Sequence, residues 1–323
     1  MTIVVDQNLI FDVGAHLGDD TEFYVHKGFK VIAIEVNPEA CHLIAKRCPE
    51  YIENKQLLVI NGAVSNRPGK INFYINNDRT QWGTANPDWV ARNKALGWGR
   101  TVRVEVDTVR LPELMVSTGV PYYCKIDIEG NDLIALRSLA QVATRPPFVS
   151  IESEIRSWER LVEEFVAFDQ LGYRYFNLVD QSMVPLQTCP QPAREGGYRE
   201  NRFQIGSSGL FGRELPGRWV DKFEALELYK GIFVRYALNG NNGLFGRRTS
   251  IFHMAGQLQK ILDRMRGSKI PMNPAYNLPP SGWYDTHAAM QLPPSLLSIS
   301  GASHPVSQLS PHDARPGPSR VQE

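Results

Sequence analysis

Along roughly its first 180 residues the chain alternates short β-branched apolar runs with stretches whose apolar positions recur at helical spacing. Residues 9–13 (LIFDV), 30–35 (KVIAIE), 57–60 (LLVI), 122–127 (YYCKID), 148–153 (FVSIES) and 173–179 predict strands. Between them the pattern predicts helices. One is capped by Asp19, Asp20 or Thr21 and stopped by Gly28, and the next is opened by Asn37-Pro38. A third follows Gly130 with Asn131 or Asp132 as its cap. A fourth carries Leu161, Phe165, Val166 and Phe168 and ends at Gly172. Strand and helix in alternation argue for an α/β fold with a mostly parallel sheet.

Two stretches break the alternation. About 60 residues separate the third strand from the Tyr122 strand, far more than a plain connection of 2–6 needs. That interval holds two alternating segments of its own, 70–75 and 101–106, which predict an inserted β pair within residues 66–106, with Gln81-Trp82-Gly83-Thr84 as a loop. A structured insertion at one end of a sheet tends to cover a ligand site, and Trp82, Trp89 and Trp98 would belong to such a lid. The far end differs again: ten of the 22 prolines fall in 271–323, and 291–323 adds seven serines without any periodicity, so this tail is expected to be mostly disordered. Before it, Ile251, Phe252, Met254, Leu258, Ile261, Leu262 and Met265 predict an amphipathic helix. The chain thus divides into a core over 1–185, a C-terminal part of the same domain with a helical extension over 186–270, and the tail.

Composition narrows the function classes. Lys+Arg 35 against Asp+Glu 34 leaves a net charge of +1, so the basic surplus of a protein that grips phosphate backbones is absent and no nucleic-acid partner is expected. Cys41, Cys48, Cys124 and Cys189 form no C-x-x-C pair and have no neighbouring His at zinc spacing. No apolar run reaches the ~20 residues that would span a bilayer, and the first residues do not read as a signal peptide. The expected setting is the cytoplasm.

The most informative segment is Phe11-Asp12-Val13-Gly14-Ala15-His16-Leu17-Gly18, which leaves a strand, turns through glycines and enters a helix. Glycine lets the backbone turn sharply and approach a ligand, and the helix that follows offers free N–H groups. Glu35 ends the next strand, where a carboxylate can accept both hydroxyls of a ribose. The dinucleotide fingerprint needs a middle glycine that His16 replaces. Asp12 would repel a pyrophosphate but could accept from a ligand ammonium. S-adenosylmethionine carries an ammonium and a ribose and no phosphate, so these residues favour it.

Taken together, Asp12 to Gly18, Ala33-Ile34-Glu35-Val36-Asn37-Pro38, Asn61-Gly62-Ala63-Val64-Ser65, Val106-Asp107-Thr108 and Cys124-Lys125-Ile126-Asp127-Ile128-Glu129-Gly130-Asn131-Asp132 resemble the FkbM family of class I S-adenosylmethionine-dependent methyltransferases. The Ile-Asp-Ile-Glu-Gly block is the most specific part, and Gly282 to His287 resembles a further element. The resemblance covers residues 8 to 180. It implies a Rossmann-like, seven-stranded, mostly parallel sheet and methyl transfer, usually to oxygen. It also implies that Asp12, Gly14 and Gly18 line the methionine end of the cofactor, with the backbone of Ala15 and His16 close by, Glu35 at the ribose, Ala63 and Val64 at the adenine, and Asp127 nearest the methyl group.

Methyl transfer from a sulfonium is an in-line displacement in which the protein positions the acceptor and removes its proton. Asp127 and Glu129, two apart at a strand end, are candidates, as is His287, a base that titrates near neutrality. A turn residue bonded locally is the plainer reading of His16, and Glu129 could instead cap the next helix or neutralise Lys125. A divalent metal on Asp127, Glu129 and Glu152 has suitable oxygen ligands but no third certain one, and none is expected. The acceptor is expected to be a small molecule or sugar-containing metabolite. The rivals are an NAD(P)-dependent oxidoreductase and a non-catalytic binding protein that retains the fold.

Overall fold

The computed structural model describes residues 3–78, 83–85, 87–95, 97–128, 130–239 and 283–297. Glu129, Trp82, the helix predicted over 251–265 and the chain beyond 297 lie outside them.

The central strands read as near-continuous apolar runs because helices cover both faces of the sheet they form. In β1 (Val5–Val13), residues 9–13 are all buried. It leads into α1 (Asp19–His26), then β2 (Lys30–Glu35), α2 (Pro38–Arg47), α3 (Pro49–Glu53) and β3 (Leu57–Asn61). Gly18, at φ 83, is the N-cap of α1 in place of the predicted Asp19, Asp20 or Thr21, and no side chain caps it. Asn37 does cap α2, its side chain accepting from Glu39 N.

The predicted insertion forms a second sheet. It contains β4 (Ala63–Val64), β5 (Lys70–Asn76), α4 (Pro87–Ala95) and β6 (Thr101–Val109). β6 lies between β4, which it pairs in parallel, and β5, which it pairs antiparallel. The main chain of folding resumes with α5 (Leu111–Thr118), β7 (Val120–Ile126), α6 (Asp132–Ser138), β8 (Phe148–Glu152), α7 (Trp158–Leu171), β9 (Tyr175–Asp180) and α8 (Lys222–Asn239). Gly172, in the left-handed region at φ 94, ends α7 as predicted.

Within the stretch from 271 that is expected to be mostly disordered, the described residues hold one ordered strand. Tyr284–Ala289 is β10, completely buried, and it inserts antiparallel between β8 and β9. The seven-stranded sheet runs β3-β2-β1-β7-β8-β10-β9, with every pair except those of β10 parallel. Thr286, a polar residue inside this buried strand, is satisfied sideways. Thr286 Oγ1 lies 2.6 Å from Ser153 Oγ and 2.7 Å from Tyr229 Oη.

Successive strand residues face opposite layers. Phe11 and Ile34 join Leu136, Phe165, Phe168 and Tyr229 on one side. Ile10 and Tyr123 join Tyr24, Phe29 and Phe211 on the other. The carboxyl ends of β1, β2 and β7 are left at the rim, facing the second sheet.

Candidate functional site

The strand β1 gives way to a turn whose backbone is fixed from three directions. Gly14 N and Ala15 N both donate to Ile34 O, at 2.9 and 3.2 Å. His16, at φ 47, donates its amide to Glu35 Oε2 at 2.8 Å. Glu35 Oε1 accepts from Asn37 N at 2.8 Å. Each carboxylate oxygen has a second lone pair, so Glu35 can hold the turn and still accept from two ligand hydroxyls. Burial pushes the Glu35 carboxyl up, while the amides of Asn37 and His16 oppose that.

Gly14 is dictated by close approach. A Cβ built there would sit 1.8 Å from Asp127 O, and Asp127 N is itself bonded to Val13 O at 2.9 Å. The turn and the end of β7 therefore meet backbone to backbone. On the far side of Asp127, Ile128 N and Gly130 N donate to the Asp132 side chain at 3.0 and 3.2 Å. That carboxyl is pushed up to about 7 by burial and by Asp127. Trp89 of α4 lies against the same turn, since a Cβ at Gly130 would meet its Nε1 at 2.6 Å. The Arg92 guanidinium stacks on that indole at 4.2 Å.

A cleft opens over these strand ends. Gly14, Ala15, His16, Glu35, Ala63, Val64 and Asp127 are all among its lining residues, where the sequence places them. Three candidates fall elsewhere. Asp12 is fully buried beneath the turn: Thr21 Oγ1 donates to its Oδ2 at 2.5 Å and Lys125 Nζ to its Oδ1 at 3.2 Å. It does not face a ligand ammonium, because Asp12 and Lys125 are register partners in the β1–β7 ladder and their side chains share a face. Gly18 is packed away from the cleft, with Ile44 Cγ1 2.8 Å from where its Cβ would be. His287 lies inside β10, only 1% exposed and stacked with Tyr123 at 6.2 Å. Burial drives its pKa down to about 3, so it is a neutral core histidine and not a base at the cleft.

Lys125 is the residue that sequence reasoning missed. Its ammonium donates to Gly14 O at 3.2 Å, bonds Asp12, and lies 3.6 Å from Asp20. Burial alone would lower its pKa, but Asp12, Asp20 and Asp127 hold it well above the ordinary lysine value. Asp20 in turn accepts from Ser208 N at 3.0 Å, and burial pushes its carboxyl up to about 6 against the pull of Lys125. The signal was present as one lysine inside the apolar run YYCKI, because a buried charge is kept only where it is paired.

The donor set can be tested against a cofactor. Among the described lining residues, Asp19, Asp20, Glu35 and Asp127 stand against a single lysine, with His16 pushed below its ordinary value by burial and by Lys125. This excess of carboxylate fits a cationic ligand with a ribose and opposes a pyrophosphate. S-adenosylmethionine fits.

Comparison with known proteins agrees. Residues 12–175 match the methyltransferase FkbM domain. The chain belongs to that family. It is accordingly an S-adenosylmethionine-dependent methyltransferase, and the dinucleotide reading falls away. No curated protein matches the chain. Similar solved structures include a SAM-dependent methyltransferase from Thiobacillus denitrificans in complex with S-adenosyl-L-homocysteine, at 12% identity and TM-score 0.33, covering 89% of this chain and 87% of that one. A second, from Geobacter sulfurreducens and also in complex with S-adenosyl-L-homocysteine, has 10% identity and TM-score 0.31, covering 90% and 85%. A putative sarcosine dimethylglycine methyltransferase from Galdieria sulphuraria has 8% identity and TM-score 0.33, covering 88% and 78%. Likeness of that degree transfers neither substrate nor site residues to this FkbM-family protein.

Proposed function

We propose that this protein methylates a hydroxyl oxygen of a small-molecule acceptor, with Asp127 as the group that orients the hydroxyl and accepts its proton. The supporting observation is the position of Asp127. It lies at the cleft, its backbone locked to Val13 and backed by Gly14 without room for even a methyl group. A positioned carboxylate accepts from an O–H and takes up the proton as the bond to carbon forms. S-adenosylmethionine supplies the activated methyl group when bound. The chain's part is to hold the ribose on Glu35, the adenine beside Ala63 and Val64, and the acceptor oxygen in line.

Glu129 remains a candidate second carboxylate from sequence alone. Among the described residues no group of side chains is arranged to hold a metal ion, and no helix is long and apolar enough to cross a membrane. All four cysteines are free, which supports a reducing, cytoplasmic setting for the reaction.

The test is Asp127→Asn with calorimetry of S-adenosylmethionine beside a screen of alcohols, phenols, amines and thiols, read by release of S-adenosylhomocysteine. The proposal expects cofactor binding within a few fold of native, turnover only of hydroxyl acceptors, and loss of turnover by about 100-fold or more in the variant. Transfer to an amine or thiol in preference, or full activity in Asp127→Asn, would refute it.

A further inference from the structure

The cleft has two walls of different chemistry. One is polar and is made by the Gly14 turn, Glu35, Lys125, Asp127 and Asn131. The other comes from the insertion and, among the described residues, consists of Ile71, Phe73 and Ile75 of β5 with Gly83 and Ala85. Those five carry no polar side-chain atom.

The second wall is built, not incidental. β5 alternates, so that Ile71, Phe73 and Ile75 share one face while exposed Asn72 lies on the other, accepting from Arg103 Nε at 2.9 Å. Phe73 is only 8% exposed. Its ring is backed by Gly83, where a Cβ would meet Phe73 Cε1 at 2.8 Å. Gly83 is held there by its neighbour Thr84, which exchanges backbone hydrogen bonds with Tyr74 at 2.9 and 3.1 Å.

The needs of the cofactor are met without this wall. Ribose hydroxyls, ammonium and carboxylate call for the polar side, and Val36, Ala63 and Val64 of the lining offer apolar surface for the purine on the placement proposed above. An apolar surface facing the remaining space gains free energy only from an apolar partner. A polyol set against it would lose water from its hydroxyls with nothing to replace the lost bonds. We infer that the β5 wall receives the acceptor, and that the acceptor presents an apolar body beside its reacting hydroxyl, as an alicyclic, aromatic or long-chain alcohol does and a free sugar does not. The inference rests on the transfer to a hydroxyl proposed above. It narrows the acceptor class and makes Phe73 a specificity-determining residue.

The probes are 2-naphthol, cyclohexanol and glucose, titrated calorimetrically into protein saturated with S-adenosylhomocysteine. Native protein is expected to bind the first two and not glucose. Phe73→Thr is expected to weaken 2-naphthol by about tenfold or more while leaving the affinity for S-adenosylhomocysteine within about twofold. Ile75→Thr, a milder change on the same face, should act in the same direction and guards against a Phe73 variant that does not fold. Preference for glucose, or 2-naphthol binding unchanged in both variants, overturns the inference. Loss of S-adenosylhomocysteine binding in a folded Phe73→Thr protein also overturns it, because the wall then belongs to the cofactor. Failure of native protein to bind S-adenosylhomocysteine overturns instead the methyl-transfer reading beneath it.

Discussion

Replacing Gly14 by alanine should disable the turn proposed to hold the cofactor, and the structure separates the two reasons. Gly14 has φ +83, a conformation that costs a residue with a Cβ about 1–2 kcal/mol. Gly28 has φ +95 and nothing within 4 Å of where its Cβ would be, so Gly28→Ala measures that backbone cost alone. At Gly14 the new Cβ would stand 1.8 Å from Asp127 O and 2.8 Å from Asp127 C, where ordinary contact begins at 3.4 Å. The Asp127 backbone must retreat by more than an ångström, against its own bond to Val13. Overpacking of this kind adds about 1–3 kcal/mol, and a shift of that size at a binding turn costs about 100-fold in function. Urea unfolding followed by circular dichroism should show Gly28→Ala losing about 1–2 kcal/mol. Gly14→Ala should lose about 2–5 kcal/mol in all. Calorimetry should find S-adenosylmethionine affinity unchanged in the first variant and about 100-fold weaker in the second. Equal unfolding midpoints together with equal affinities would show that the backbone contact between turn and β7 carries no such constraint.

Other expectations follow from the buried charges. Lys125→Met leaves Asp12 and Asp20 without their cation and should cost about 3–5 kcal/mol in unfolding measurements at pH 7; a loss under 1 kcal/mol would contradict the clasp. Glu35→Ala removes the acceptor for two backbone amides as well as the proposed ribose contact, and at about 1.5–3 kcal/mol per charged bond calorimetry should show at least about tenfold weaker cofactor binding. His287 is held neutral with a pKa of about 3 against an ordinary 6.5, so the unfolded chain binds its proton first. The stability this contributes is complete above pH 6.5 and is lost as pH falls toward 3. His287→Phe should therefore flatten the acid limb of the stability curve while leaving turnover intact; an unchanged limb, or lost turnover in a folded variant, would refute the assignment.

Most of the sheet was legible because its central strands obey simple rules. β1, β2, β7 and β8 are buried on both faces and read as apolar runs, and Asn37-Pro38 and Gly172 mark helix ends by chemistry that is local. The rim was legible for the same reason, since Gly14 and Glu35 act through backbone geometry that a spacing reveals. Asp12 and Lys125 were not, because a one-dimensional pattern does not show which residues are register neighbours across a parallel ladder. β10 was hidden by composition: Asp285, Thr286 and His287 look like a solvated segment next to a proline-rich tail. Only the partners Ser153 and Tyr229, more than 50 residues away in sequence, explain how the hydroxyl of Thr286 sits inside the sheet. The wall of β5 was visible as an alternation, but not the face it turns to the cleft.

The position of β10 has a consequence for how the chain is made. β8 finishes at residue 152 and β9 at residue 180, yet they never touch; the strand that joins them arrives with residues 284–289, and Tyr284 bonds Asp180 across 104 positions. During synthesis from the amino terminus, β3, β2, β1, β7 and β8 can assemble while the edge of β8 stays bare and β9 has only its single bridge between Phe176 and Val220. Closure of the sheet is then a late step of high sequence separation, slow by its topology. Until it occurs, the nascent protein exposes an unpaired strand edge of the kind that recruits other chains. A ribosome pausing after α8 would hold the molecule in that state, with the turn after β1 already formed and the sheet still open.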